Sequence, residues 1–165
     1  MYTEGPTILA REHRLLASLT GERQHHGPYG PHALPAGIAA MMTRKRIAVV
    51  EDNADNRLLV QALLEDLYDI TEYVNGVDAL AGLRGSLPDL VLLDISLPEM
   101  DGTDVARAIR ADALLQHLPL VALTAHAMSG DRERFLQCGF DSYVAKPIID
   151  ERELHDTIAT LLARA

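Results

Sequence analysis

From residue 45 onward the chain alternates strictly: short apolar runs rich in Val, Ile and Leu take turns with longer segments of helical period. The runs at residues 46–50, 69–74, 89–93, 120–123 and 142–145 have the length and composition of strands. Between them the spacing predicts helices over residues 55–67, 77–84, 103–112 and 129–138, and a last one over 151–163. That last helix takes Asp150 as its cap, Glu153 three residues on, and an apolar face of Leu154, Ile158, Leu161 and Leu162. Nearly uninterrupted apolar strands are buried on both faces, and right-handed crossovers place helices on each side of the sheet. The pattern therefore dictates an α/β fold, a doubly wound sandwich of five strand–helix pairs around a parallel sheet. In such a sheet ligands bind beyond the carboxyl ends of the strands, where the strand order reverses, so the chemistry is confined to five short loops.

Charge divides the same chain in two. Residues 1–43 hold three Arg and three Glu with no Asp or Lys, so the whole net charge of −9 belongs to residues 44–165. Those first 43 residues also hold nine of the nineteen Gly and Pro residues, including a Gly/Pro/His cluster over 21–37 that offers little apolar surface to bury. They are expected to be a flexible N-terminal extension. Ile8, Leu15, Leu16 and Leu19 within it fit one face of a short helix, and His25, His26 and His32 lack the fixed spacing of a metal site. Met41 and Met42 stand just before the folded part, so an overcalled start codon would account for the extension. A net charge of −9 repels nucleic-acid phosphate and leaves no basic stripe for a duplex. The densest apolar stretch, 87–97, is broken by Pro88, Asp89 and Asp94, far short of the ~18 apolar residues of a bilayer span. A single cysteine, Cys138, allows no internal disulfide and reads as packing, and no secretion signal opens the chain, so the cytoplasm is the expected compartment.

Four of the five strand ends carry polar groups: Glu51-Asp52 after the first, Asp94 at the third, Thr124 at the fourth and Lys146-Pro147 at the fifth. With parallel, adjacent strands, Glu51, Asp52 and Asp94 converge. Like charges about 4 Å apart repel by ~4 kcal/mol at an effective dielectric near 20, so three carboxylates need positive company. Lys146 supplies one charge, leaving a deficit of two, and an all-oxygen site of this kind suits Mg²⁺. The lysine itself is informative, because the chain has thirteen Arg and only two Lys; an ammonium on a flexible stem reaches one oxygen where a guanidinium fork would crowd the pocket. Pro147 tightens the turn that follows, through a cis or a trans peptide, trans being the commoner form.

Together, Glu51-Asp52, Asp94 in Leu-Leu-Asp, the run from Leu97 to Gly102 (Leu-Pro-Glu-Met-Asp-Gly), Thr124-Ala125 and Tyr143-Val144-Ala145-Lys146-Pro147 resemble the response regulator receiver family. The resemblance covers residues 44–165 and implies a flavodoxin-like (βα)5 sheet of strand order 2-1-3-4-5. It implies that Asp94 is the phosphoacceptor, attacking a phosphohistidine of a histidine kinase or histidine phosphotransfer protein. Asp52, Asp94 and the backbone carbonyl of Ser96 would bind Mg²⁺, with Glu51 often acting through water, and Lys146 would pair with Asp94 and then with a phosphoryl oxygen. Thr124 and Tyr143 would be a switch pair biasing a surface on the fourth and fifth helices and fifth strand. Gly102 opens the third helix with a turn. The resemblance places Ser96 and His126 at positions that flank the attacking water, although His126 reads more readily as a solvated loop histidine.

The resemblance implies a single-domain response regulator rather than a turnover enzyme, a monomer or a phosphorylation-dependent dimer whose output is a protein contact; no output domain is expected after Ala165. Two other readings are weaker. An aspartate-nucleophile phosphohydrolase would want a second Asp two residues after the nucleophile, where Ser96 stands, and a degenerate scaffold would have lost the acid pair, the acceptor or the lysine.

Overall fold

A computed structural model of the chain describes residues 44–125 and 131–164. Five strands, β1 (Arg46–Val50), β2 (Asp69–Tyr73), β3 (Leu90–Asp94), β4 (Leu120–Thr124) and β5 (Ser142–Ala145), form one parallel sheet in the order β2-β1-β3-β4-β5. They alternate with helices α1 (Ala54–Leu64), α2 (Gly76–Gly85), α3 (Gly102–Ala111), α4 (Asp131–Gln137) and α5 (Glu151–Leu162). The doubly wound fold and its strand order are those expected.

Side-chain alternation along the strands divides the core into two layers. Ile47, Val49, Leu90, Leu92, Val121, Leu123 and Val144 face α1 and α5, packing on Val60, Leu64, Leu154, Ile158 and Leu161. Ala48, Val50, Val91, Leu93, Leu120 and Ala122 face the other way, against Ala79 and Leu83 of α2, Val105, Ala106 and Ile109 of α3, and Phe135 of α4. β3 and β4 are buried along their whole length and β1 from Ile47 on, whereas β2, at the edge, has no fully buried residue. Leu154, Ile158 and Leu161 are buried as the helical spacing requires, and the Asp150 carboxylate caps α5 by accepting from the Arg152 amide.

The boundaries differ from the sequence reading where polar groups override propensity. α1 stops at Leu64, not at residue 67, because the Leu64 carbonyl accepts from both the Leu67 and Tyr68 amides and turns the chain toward β2. β2 ends at Tyr73, one residue short of the expected end. β3 starts at Leu90 and runs through Asp94; at its amino end the Asp89 carboxylate accepts from the Arg46 amide and the Lys45 ammonium, each at 2.8 Å, and ties β3 to the start of β1. β4 extends to Thr124, whose carbonyl accepts from the Lys146 amide at 2.7 Å. Ser129 and Gly130, the expected start of the fourth helix, lie outside the described residues, as do residues 1–43 with their helical pattern and histidines. Cys138 is buried, 3.7 Å from an Arg107 nitrogen.

Candidate functional site

Strand parity decides which polar side chains meet. Glu51, Asp94 and Lys146 continue the series of residues that face α1 and α5, whereas Thr124 and Tyr143 belong to the opposite series. The adjacency of β1 and β3 brings Glu51 and Asp94 side by side, and the lysine arrives from β5 across the end of β4. Carboxylate oxygens of Glu51, Asp52 and Asp94 lie within 4.8 Å of one another. Glu51 and Asp94 are 1% and 2% exposed, while Asp52 faces solvent, so the pocket is a buried floor with one open carboxylate at its rim.

Lys146 Nζ spans the floor, 2.9 Å from Glu51 Oε2 and 2.8 Å from Asp94 Oδ2. Burial disfavours its charge, but the hydrogen bonds to Asp94 and Glu51 and the charges of both carboxylates outweigh that, so its pKa sits above the usual lysine value. The second Asp94 oxygen, Oδ1, accepts from the Ser96 amide at 3.0 Å, which fixes the plane of the carboxylate. Glu51 is held as firmly: its Oε1 accepts from the Asn53 amide and from Asn56 Nδ2, both at 3.2 Å. Asn53 in turn caps α1, its Oδ1 accepting from the Asp55 and Asn56 amides.

Gly102 does more than start α3. Its amide donates to the Ile95 carbonyl at 2.9 Å, folding the 95–102 loop back onto β3. A Cβ at this position would lie 2.8 Å from Ile95 Cα and 2.9 Å from the Asp94 carbonyl carbon, and closer still to the Asp94 carbonyl oxygen. Only glycine lets α3 begin directly behind the Asp94 backbone. Thr124 is buried at the end of β4. Tyr143 is half-buried on β5, its ring packed 5.8 Å from that of Phe135 on α4. Pro147 is exposed and follows a cis peptide. Ser96 is exposed beside Asp94, and His126 lies outside the described residues.

The pocket suits a small divalent cation. Its donors are hard carboxylate oxygens. Their spread of up to 4.8 Å is near the ~4.2 Å between opposite oxygens of an octahedron with ~2.1 Å Mg–O bonds. Three carboxylates against one ammonium leave two negative charges, which one such ion balances.

Sequence reasoning missed Asn56, Arg57 and Glu72. Arg57 Nη1 donates to the Glu51 and Asp52 carbonyls, both at 2.8 Å, and its Nε lies 3.8 Å from Glu72 Oε2. For Asn56 and Arg57 the available signal was their place in the first turn of the helix that directly follows the acid pair; Glu72, on β2, carried no such signal.

Among the described residues no helix is long and apolar enough to cross a membrane. The family model for the response regulator receiver domain matches residues 47–159. The polar-differentiation response regulator DivK of Brucella anthropi is 41% identical over 122 residues, a match covering 73% of this chain and 98% of DivK. The sensor protein GacS of Pseudomonas syringae is 40% identical over 134 residues, 78% of this chain but 15% of GacS. Among solved structures, the receiver domain of a sensor histidine kinase from Pseudomonas aeruginosa, determined with a magnesium ion in its active-site cleft, is similar. It superposes with a TM-score of 0.67 at 35% identity, covering 73% of this chain and 99% of that one. A putative response regulator of Chloroflexus aurantiacus gives a TM-score of 0.70 at 26% identity, covering 74% and 100% of the two chains. The sheet order, the acidic pocket at its carboxyl edge and these matches agree: the chain belongs to the response regulator receiver family.

Proposed function

We propose that residues 44–165 act as the phosphoreceiver of a two-component phosphorelay, with Asp94 as acceptor. The observation that carries this reading is the lysine bridge, a single ammonium touching Asp94 and Glu51 on the floor of a three-carboxylate pocket. An Asp94 oxygen attacks the phosphorus of a phosphohistidine on a histidine kinase or histidine phosphotransfer protein. The P–N bond breaks, the imidazole nitrogen leaves with the electron pair, and an aspartyl phosphate remains.

Asp52, Asp94 and the Ser96 carbonyl would hold Mg²⁺, with Glu51 contributing through water. When bound, the ion neutralises charge on the phosphoryl oxygens and orients them for in-line transfer. The chain's own residues supply the rest. Ser96 and Lys146 fix the plane of the Asp94 carboxylate before reaction. Lys146 moves from that carboxylate to a phosphoryl oxygen afterwards. Thr124 and Tyr143 lie on the same face of adjacent strands, placed to pass the change toward α4 and β5. Output is a phosphorylation-dependent protein contact, by a monomer or by a dimer formed on phosphorylation, in the cytoplasm and without nucleic-acid binding.

The full chain incubated with Mg²⁺ and either acetyl phosphate or, in parallel, a phosphate monoester tests this. One phosphoryl group gained per chain, and none in Asp94→Asn, is the expected result. Many turnovers of phosphate ester would make the protein a phosphohydrolase, and no adduct would make it a phosphorylation-independent scaffold.

A further inference from the structure

We propose that Arg57 is a positioning residue that fastens the bend after β1 and thereby holds Glu51 and Asp52 in one pocket. The inference rests on the reading of that pocket as a Mg²⁺ site. Successive side chains of a strand point to opposite faces. Ile47 and Val49 face α1 and α5, and Ala48 and Val50 face α2 and α3. Continued pleating would send Glu51 to the first layer and Asp52 to the second, yet oxygens of both lie within 4.8 Å of each other and of Asp94. The backbone therefore breaks its alternation between them: β1 ends at Val50 and the chain bends at Asp52.

That break is recorded in the carbonyls. Neighbouring carbonyls of a strand point in opposite directions, but those of Glu51 and Asp52 both accept from one nitrogen, Arg57 Nη1, at 2.8 Å each. Arg57 reaches them because side chains in a first helical turn lean back toward the helix N-terminus and cover the preceding loop. Its Nε side is steadied by Glu72 of β2 at 3.8 Å, and the side chain is only 17% exposed. Among the described residues no other side chain ties these two carbonyls together.

The sign of the effect separates positioning from plain electrostatics. Removing a cation beside an acidic pocket would by charge alone tighten Mg²⁺ binding. Releasing the bend lets Asp52 leave the pocket and weakens it, and groups that orient metal ligands are worth ~10-fold or more in metal affinity.

The test is a Mg²⁺ titration of the full wild-type chain, Arg57→Ala and Arg57→Lys, followed by the amide resonances of residues 51–53 in two-dimensional NMR. The Arg57→Ala dissociation constant is expected to rise ~10-fold or more, with its 51–53 amides displaced before any metal is added. Arg57→Lys, whose ammonium can donate to both carbonyls but cannot also reach Glu72, is expected to recover most of the affinity. Unchanged or tighter binding by Arg57→Ala would overturn the proposal, as would a folded Arg57→Lys that binds as weakly as the alanine variant. If wild type itself fails to bind Mg²⁺, the metal reading falls, and the metal-free 51–53 resonances alone decide on Arg57: displacement upholds the fastening and coincidence with wild type refutes it.

Discussion

Lys146→Met removes the ammonium that touches two of the three carboxylates while keeping a side chain of similar length. Contacts of 2.9 and 2.8 Å to Glu51 and Asp94 correspond to a gross attraction of ~6 kcal/mol each at an effective dielectric near 20. Desolvation of the three groups offsets most of that, and removing one partner of a buried pair costs about 3–5 kcal/mol net. The lower end applies here, because the lysine side chain retains 16% exposure and Asp52 opens the pocket to solvent. For a unit of this size about 3 kcal/mol lowers the melting temperature by roughly 10 °C.

Mg²⁺ supplies the discriminating half of the experiment. The substitution takes the pocket from −2 to −3, so the ion should bind the variant more tightly than wild type and return much of the lost stability. Thermal unfolding by circular dichroism, with chelator and with Mg²⁺, reads both effects. The ammonium's folded pKa lies above its unfolded one, so its stabilisation is complete below the unfolded value. It disappears as pH climbs through the raised folded value. The gap between wild type and variant should thus hold constant through neutral pH and close only in strong alkali. A variant as stable as wild type in chelator, or a gap that Mg²⁺ widens, would refute the reasoning.

Gly102→Ala should lower stability by about 3 kcal/mol, because the new methyl meets the Asp94 and Ile95 backbone and neither can yield freely; denaturant titration checks it, and a neutral outcome would show that α3 can retreat. Asp89 has its carboxyl pKa lowered: burial pushes it up, but the Arg46 amide and the Lys45 ammonium pull it further down. Its contribution is therefore present above the ordinary Asp value and lost as pH falls through the depressed one, so Asp89→Asn should destabilise at pH 7 and match wild type in strong acid. Removing residues 1–40 keeps Arg44 with its partner Asp69 and Lys45 with Asp89, and should leave the melting temperature of the receiver unit nearly unaltered in calorimetry.

The fold was legible because burial on both faces leaves β1, β3 and β4 almost purely apolar, a pattern that no exposed segment among the described residues imitates. The site was legible for the same reason: Glu51, Asp94 and Lys146 are polar interruptions at the ends of runs that otherwise exclude charge. Arg57 and Glu72 were not, since an arginine on an amphipathic helix and a glutamate on an edge strand look like ordinary solvated charge until the carbonyls at 51 and 52 are seen to turn toward one nitrogen. Gly102 was readable as a turn, but its closeness to the Asp94 backbone depends on how the 95–102 loop folds back, which spacing does not encode. Strand and helix ends moved by one to three residues, at β3 beside the Asp89 carboxylate and at α1 and β4 where backbone carbonyls of Leu64 and Thr124 take partners that spacing does not reveal.

The most direct test of the account is to locate the phosphoryl group. Borohydride reduces an aspartyl phosphate to homoserine, so the chain is treated with acetyl phosphate and Mg²⁺, reduced, digested and mapped by mass spectrometry. Homoserine at position 94, absent when Mg²⁺ is chelated and absent in Lys146→Met, is the predicted result. Modification at any other residue, or at Asp94 equally well without the metal, would contradict it.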